Sequence, residues 1–108
     1  MADVVEYLDE QGVSPFADWF NDLDAQAAAK VATAIARMGD GNFGDHKSVG
    51  EGVVERRLTH GPGYRIYFGR DGDTLVILLV GGTKKRQDND IAKAKELWAD
   101  YKARKEGG

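Results

Sequence analysis

The sequence predicts an α+β domain, because helix-like and strand-like segments alternate near its ends and three strand-like segments follow one another in the middle. The predicted order is an N-terminal strand, a helix hairpin, a three-stranded antiparallel meander and a C-terminal helix. With 108 residues, of which 42% are hydrophobic and 31% charged, the chain fits a single domain over residues 1–108 with one apolar core. We expect the helices to cover one face of the sheet and to leave the other face partly open.

The first half of the chain predicts a short strand followed by two helices. Residues 4–8 (VVEYL) are rich in types that favour strands. Ser14 followed by Pro15 is typical of a helix N-terminus, and Asp24 offers a second N-cap before an alanine-rich helix with one apolar face. Residues 39–52 contain five glycines and are therefore predicted to form an irregular connection.

The second half predicts the meander and the last helix. Three strand-like segments cover residues 53–59, 64–69 and 74–80, and they are separated by a His-Gly-Pro-Gly turn and an Asp-Gly turn. The third segment is apolar on both faces, so we expect it in the interior of the sheet. After two glycines, a helix is predicted to begin near Asp88 or Asn89.

Alternation along the first two strands of the meander places four polar side chains on one face of the sheet. Val54, Leu58, Ile66 and Phe68 are expected to point into the core, so the opposite face carries Glu55, Arg57, Arg65 and Tyr67. The two arginines would lie on adjacent strands, with their side chains about 5 to 8 Å apart. Such a pair is tolerated when a carboxylate separates the charges or when phosphate is the ligand. The alternative is a solvated strand face with glutamate–arginine ion pairs.

The distribution of charge favours the same region. Residues 1–45 contain nine acidic and two basic side chains, whereas residues 46–86 contain eight basic and four acidic ones, within a total net charge of −3. The total argues against general coating of nucleic acid, but the central segment permits a local phosphate site. Four further basic residues could surround that site or could simply keep the domain soluble. They are Lys47, Lys84, Lys85 and Arg86.

Several classes of site and location are excluded. The chain has no cysteine, which excludes disulfides, zinc–thiolate sites and a cysteine nucleophile. His46 and His60 belong to no cluster of metal-ligand residues, so neither a metal nor a cofactor is expected. The longest apolar run, at residues 75–80, is far shorter than the ~20 residues that a membrane helix requires. The acidic N-terminus does not resemble a secretion signal, and a cytoplasmic location is expected.

The central and C-terminal segments resemble the HigB-like addiction-module killer proteins of the RelE/ParE toxin superfamily. The resemblance rests on residues 55–58 (ERRL), 61–68 (GPGYRIYF), 78–91 (LLVGGTKKRQDNDI) and 94–98 (AKELW). It extends over about residues 1–102 and departs from the common pattern at Arg56, where an apolar residue is usual. It implies the fold described above and the toxin of a bacterial type II toxin–antitoxin system. In the RelE-like branch, such toxins are ribosome-dependent messenger-RNA endonucleases that need no metal ion.

The resemblance also implies roles for individual residues. Arg57 and Arg65 would bind the scissile phosphate, and Lys84 with Lys47 would add positive charge or transfer a proton. Glu55 would act as a base or orient Arg57.

Further implications of the resemblance concern RNA and protein partners. The expected RNA-binding residues are Lys47, Tyr67, Lys85 and Arg86, with Tyr67 donating a hydrogen bond or stacking on a base. The partners would be a cognate helix-turn-helix antitoxin, the ribosome and messenger RNA, with operator DNA contacted only through the antitoxin. Two other functions stay open: a non-enzymatic, ParE-like poison of DNA gyrase, and a regulatory module that binds the antitoxin.

Overall fold

The structure is a computed structural model that describes residues 2–107. A five-stranded sheet lies between a pair of helices and a third, longer helix. The strands are β1 (Asp3–Glu6), β2 (His46–Gly50), β3 (Val53–Leu58), β4 (Tyr64–Asp71) and β5 (Leu75–Thr83). The helices are α1 (Pro15–Asn21), α2 (Ala25–Gly39) and α3 (Gln87–Gly107), and a 3-10 turn at Lys84–Arg86 precedes α3. The predicted α+β class and the C-terminal helix are confirmed.

β5 lies inside the sheet, as its sequence predicted. The strand order is β1-β5-β4-β3-β2, with β1 parallel to β5 and the other neighbours antiparallel. Val76 and Leu78 of β5 are buried against the side that α1 and α2 cover, whereas Ile77 and Leu79 are buried against the α3 side. A strand that is covered on both faces needs apolar residues at every position. The predicted meander of β3, β4 and β5 is also confirmed.

The segment predicted to be an irregular connection, residues 39–52, contains a strand. β2 pairs with β3 in an antiparallel register that places Lys47 opposite Glu55. The glycines that suggested a loop serve the turn after β2, where Gly50 and Gly52 have φ values of 101° and 86°. The prediction was wrong because hydrogen bonds from β3 stabilise an edge strand whose own composition does not favour one.

The helices cover both faces of the sheet, so the expectation that they cover one face is wrong. α1 and α2 bury Phe16 and Val31 on one face, whereas α3 buries Trp98 on the other. α3 can approach closely because Gly69 lies beneath the indole of Trp98, where a Cβ atom would collide with the ring. The apolar residues of β5 on that face require this cover.

The first two helices begin where the sequence predicted. The Ser14 Oγ accepts a hydrogen bond from the N–H of Ala17 at 3.0 Å, and an Asp24 oxygen accepts one from the N–H of Ala27 at 2.8 Å. Each bond satisfies a backbone donor that has no partner within its helix. α3 begins at Gln87, slightly earlier than predicted, because the 3-10 turn leads directly into it.

Candidate functional site

Two arginines lie opposite each other close to the turn that joins β3 and β4. Arg57 of β3 and Arg65 of β4 occupy paired positions in the antiparallel register. Paired side chains on neighbouring strands have their Cβ atoms about 5 Å apart, so the two positive charges would repel each other without counter-ions. Each arginine has its own carboxylate. Arg57 donates to Asp45 at 2.8 Å, and Arg65 donates to Glu55 at 3.3 Å.

The two ion pairs differ in exposure. The side chains of Arg57 and Asp45 are 35% and 54% exposed, whereas those of Arg65 and Glu55 are 10% and 0% exposed. An exposed pair contributes little to stability, and its arginine can exchange one anion for another. Opening a buried pair leaves an uncompensated charge in a medium of low dielectric constant. Arg57 is therefore accessible to a ligand, and Arg65 is fixed in place.

Glu55 is the centre of a buried hydrogen-bond network. Its carboxylate accepts hydrogen bonds from Arg65 at 3.3 Å, from the Tyr67 hydroxyl at 3.0 Å and from the Gln87 amide at 2.8 Å. Because Gln87 is the first residue of α3, the network ties that helix to β3 and β4. Burial, reinforced by the charge of Glu55, raises the pKa of Tyr67 well above its usual range, so the phenol remains a donor at neutral pH.

Three expectations about this network are wrong. Tyr67 has no exposed surface, so it does not offer a ring on which a base could stack. Arg65, expected to point outward, is only 8% exposed. Glu55 pairs with Arg65, while Arg57 is held by Asp45, a residue that the sequence did not single out. Strand alternation assigns these side chains to one face, but it does not reveal that α3 covers that face.

Further cations lie around this network at the surface. Lys47 of β2 is paired with Glu55 in the sheet register and therefore projects from the same face. Lys84–Arg86 form the 3-10 turn, and the N–H of Lys84 donates to the Gly63 carbonyl at 2.9 Å, which fixes this turn beside the β3–β4 connection. We define the cationic surface as the exposed or half-exposed residues Lys47, Arg57, Lys84, Lys85 and Arg86.

The residues that carry this site also match a known protein family. The family model described as Phage derived protein Gp49-like (DUF891) matches residues 18–99, which include all of the site residues. The chain belongs to the Gp49-like family. A Haemophilus influenzae protein described as an uncharacterized protein is 47% identical over 83 residues, which are 76% of this chain and 84% of the relative. The Gp49-like family is toxin-related, which suggests a toxin of the toxin–antitoxin type.

Two residues at the start of α3 complete the site of this Gp49-like protein and were missed in the sequence. One is Gln87, and the other is Asp90, whose carboxyl lies against Gly82 where a Cβ atom would collide with it. Burial raises the pKa of Asp90, and the charge of Arg86 partly opposes this shift. Helical spacing could have revealed both residues, because positions 87, 90 and 94 continue the buried stripe that includes Ala94.

The two histidines have different neighbours. The ring centroid of His46 lies 5.8 Å from that of Phe43, and that of His60 lies 6.2 Å from that of Tyr64. Among residues 2–107, no group of three or more histidine, aspartate or glutamate side chains is arranged to hold a metal ion. In the same part of the chain, no helix combines the length and the apolar character needed to cross a membrane.

Proposed function

We propose that this Gp49-like protein is the toxin of a bacterial type II toxin–antitoxin system, that it is HigB-like within the RelE/ParE superfamily, and that it cleaves messenger RNA on the ribosome. In this proposal the whole chain acts as one domain in the cytoplasm and needs no cofactor. The observation that carries the proposal is the pair of arginines at opposite strand positions, one buried and fixed, the other exposed among lysines. This arrangement suits a phosphate that gains charge during a reaction.

Cleavage of RNA can use the substrate's own ribose as the nucleophile. The 2′-oxygen attacks the adjacent phosphorus and gives its proton to a base. The bond between phosphorus and the 5′-oxygen breaks as that oxygen takes up a proton, which leaves a 2′,3′-cyclic phosphate and a 5′-hydroxyl. Negative charge increases on the phosphate oxygens in the transition state, and cations that are already in position stabilise it.

In our proposal, residues of the cationic surface and of the buried network together bind the phosphate and stabilise its charge in the transition state. Arg57 exchanges its carboxylate for the scissile phosphate, which its planar guanidinium can bind through two parallel hydrogen bonds. Arg65 contributes a fixed positive charge, and Glu55 acts as a positioning residue that holds it. Lys84 and Lys47 add charge or transfer a proton.

The same surface supports the proposed regulation by an antitoxin. A cognate helix-turn-helix antitoxin would cover Arg57 and the turn at Lys84–Arg86 with an acidic segment, because groups that bind phosphate also attract carboxylates. An acidic segment of this kind can be disordered before it binds and can fold on the toxin. Operator DNA would be contacted only through the antitoxin.

Induction of the protein in a bacterial host tests the proposed cleavage. We expect growth arrest together with breaks in translated messages, mapped by primer extension, that disappear when translation is blocked. Arg57→Ala should reduce cleavage about 100-fold, which is the scale for losing one group that stabilises the transition state. Its melting temperature should stay close to that of the wild type, because the ion pair with Asp45 is exposed.

Two further variants make this test specific. Lys93→Ala removes a half-exposed charge from α3 and should leave cleavage unchanged. Arg65→Lys retains the charge beside Glu55, whereas Arg65→Ala would leave that buried carboxylate without a counter-ion and confuse activity with stability. Intact messages accompanied by double-strand DNA breaks would identify DNA gyrase as the target and refute the proposal.

A further inference from the structure

A second basic feature lies between α2 and the end of β3. It is a cleft of about 490 Å³, which we call the α2 cleft. The charged and aromatic residues along it include Lys30, Arg37, Asp45, Arg56, Arg57 and His60. Four of these are lysine or arginine, while the one carboxylate, Asp45, is already paired with Arg57 at 2.8 Å. The α2 cleft is therefore strongly positive.

The arginines of the α2 cleft have unused hydrogen-bonding capacity. Within residues 2–107, the buried Nε atoms of Arg56 and Arg57 have no hydrogen-bond partner. Burial lowers the pKa of Arg56, Asp45 opposes this shift, and the nearby charge of Arg37 adds to it. Positive groups thus lie near one another in a partly desolvated space. An anion bound there would reduce the repulsion between these positive groups and would accept hydrogen bonds from the two Nε–H groups.

The spacing of the cations indicates a ligand with more than one phosphate. Lys30 and Arg37 are seven residues apart on α2, so they lie on the same face of the helix and about 10 Å apart along its axis. A single phosphate group cannot bridge that distance, but successive phosphates of a nucleic-acid strand can contact both residues. The His60 ring, stacked on Tyr64 at an interplanar angle of 22°, adds an aromatic surface of the kind that binds unpaired bases.

We propose that the α2 cleft binds single-stranded RNA next to the nucleotide that is cleaved. This inference rests on the proposed function, because Arg57 belongs to both the α2 cleft and the cationic surface. A strand that follows the cleft therefore presents its next phosphate to Arg57. The α2 cleft contributes affinity and position, while the cationic surface contributes the chemistry.

Binding of a fluorescent 12-nucleotide 2′-O-methyl oligouridylate to the full chain tests this inference. The methyl groups block the attacking hydroxyls, so the measured affinity does not depend on cleavage. Lys30→Ala/Arg37→Ala should bind about 10-fold more weakly at 0.1 M salt. The slope of log K against log salt concentration should become less steep by about 0.7 for each lost phosphate contact. The matched control is Lys93→Ala/Lys102→Ala, which removes the same charge from α3, outside both the α2 cleft and the cationic surface, and should bind as the wild type does.

Two results would overturn the inference. Equal RNA affinity of the two double variants would show that the α2 cleft does not hold the strand. If Lys30→Ala/Arg37→Ala lost as much affinity for a glutamate-rich peptide of the same charge as for RNA, the cleft would be assigned to an acidic protein segment.

The inference and the proposed function can fail separately. Wild-type RNA binding by Lys30→Ala/Arg37→Ala, together with message cleavage, refutes only the role of the cleft. RNA binding that depends on the cleft, without any message cleavage, refutes only the endonuclease.

Discussion

The two ends of α3 are joined to the sheet by the same kinds of group in different surroundings. At the N-terminal end, the fully buried Glu55 of β3 accepts a hydrogen bond from Gln87 of α3 at 2.8 Å and another from Tyr67 of β4 at 3.0 Å. At the C-terminal end, Asp71 accepts one from Tyr101 at 2.8 Å and forms an ion pair with Lys105, whose side chain is 59% exposed. Loss of a hydrogen-bond partner destabilises the fold strongly in the interior and only slightly at the surface, where water replaces the partner. The N-terminal end should therefore be rigid, and the C-terminal end should open more readily.

This difference matters because the candidate site lies at the rigid end. A second cluster at the C-terminal end, in which Asp100 accepts from Tyr7 and pairs with Arg104, is also partly exposed. Arg65, in contrast, is held by the carboxylate of Glu55, which has no exposed surface. Charges stabilise a transition state best when they need no reorganisation during the reaction. We infer that the buried network supports the site and that the exposed clusters mainly secure the helix.

The largest expected effect comes from removing the buried charge. Glu55→Gln places an amide donor among three donors and leaves Arg65 without a counter-ion, so we expect the free energy of unfolding to fall by about 3 to 5 kcal/mol. Asp71→Asn, at the other end of α3, should lower the free energy of unfolding much less, because the ion pair that it removes is exposed to solvent. Urea denaturation measures both. Equal losses would contradict the contrast between the two ends.

A smaller contrast is expected for the two tyrosines. Tyr67→Phe removes one buried donor to Glu55 and should lower the free energy of unfolding by about 1 to 2 kcal/mol. Tyr101→Phe removes a donor that water can replace, so a loss of about 0.5 kcal/mol or less is expected. Both substitutions keep the aromatic ring, so the loss of stability reports the missing hydrogen bond and not a change in packing. A larger loss for Tyr101→Phe would reverse the assignment of the rigid end.

The smallest expected effect is a loss of stability at low pH. Hydrogen bonds from Lys105 and Tyr101 lower the pKa of Asp71, and the Tyr7 hydroxyl does the same for Asp100. The resulting stabilisation is present above the ordinary aspartate pKa and is lost as the pH falls below about 4 through the lowered values.

The melting temperature, followed from pH 6 to pH 3, measures this effect. It should fall less in Asp71→Asn/Asp100→Asn than in the wild type. Burial raises the pKa of Asp90, which therefore changes stability with pH in the opposite direction. Because both proteins retain Asp90, this contribution cancels in the comparison. Parallel curves would show that the C-terminal clusters do not stabilise the native state.

Local signals in the sequence predicted most of the elements. The caps at Ser14 and Asp24 and the apolar run of β5 depend on residues close in the chain, and all three were predicted correctly. β2 was missed because its stability comes from pairing with β3 and not from its own residues. The position of α3 was missed although β5, apolar on both faces, requires cover on both sides.

The candidate site was predicted less completely, for the same physical reason. Alternation placed Arg57, Arg65, Glu55 and Tyr67 on one face, which the register confirms. It could not show which of them α3 would bury, because that depends on how closely the helix approaches the sheet. Helical spacing could have placed Gln87 on the buried stripe of α3, but it could not identify Glu55 as its partner, because the two residues lie far apart in the sequence. The functional roles of these residues remain predictions.

The parallel pairing of β1 with β5 affects when the protein can fold during its own synthesis. Asp3 at the start of the chain pairs with Leu75, and Glu55 in the middle accepts a hydrogen bond from Gln87, so both contacts require late parts of the chain. At about 5 to 20 residues per second, β1 leaves the ribosome roughly 4 to 14 s before β5. Closing so long a loop is also entropically unfavourable until the partner strand is present. The sheet therefore cannot be completed, and α3 cannot cover it, until nearly the whole chain has left the ribosome.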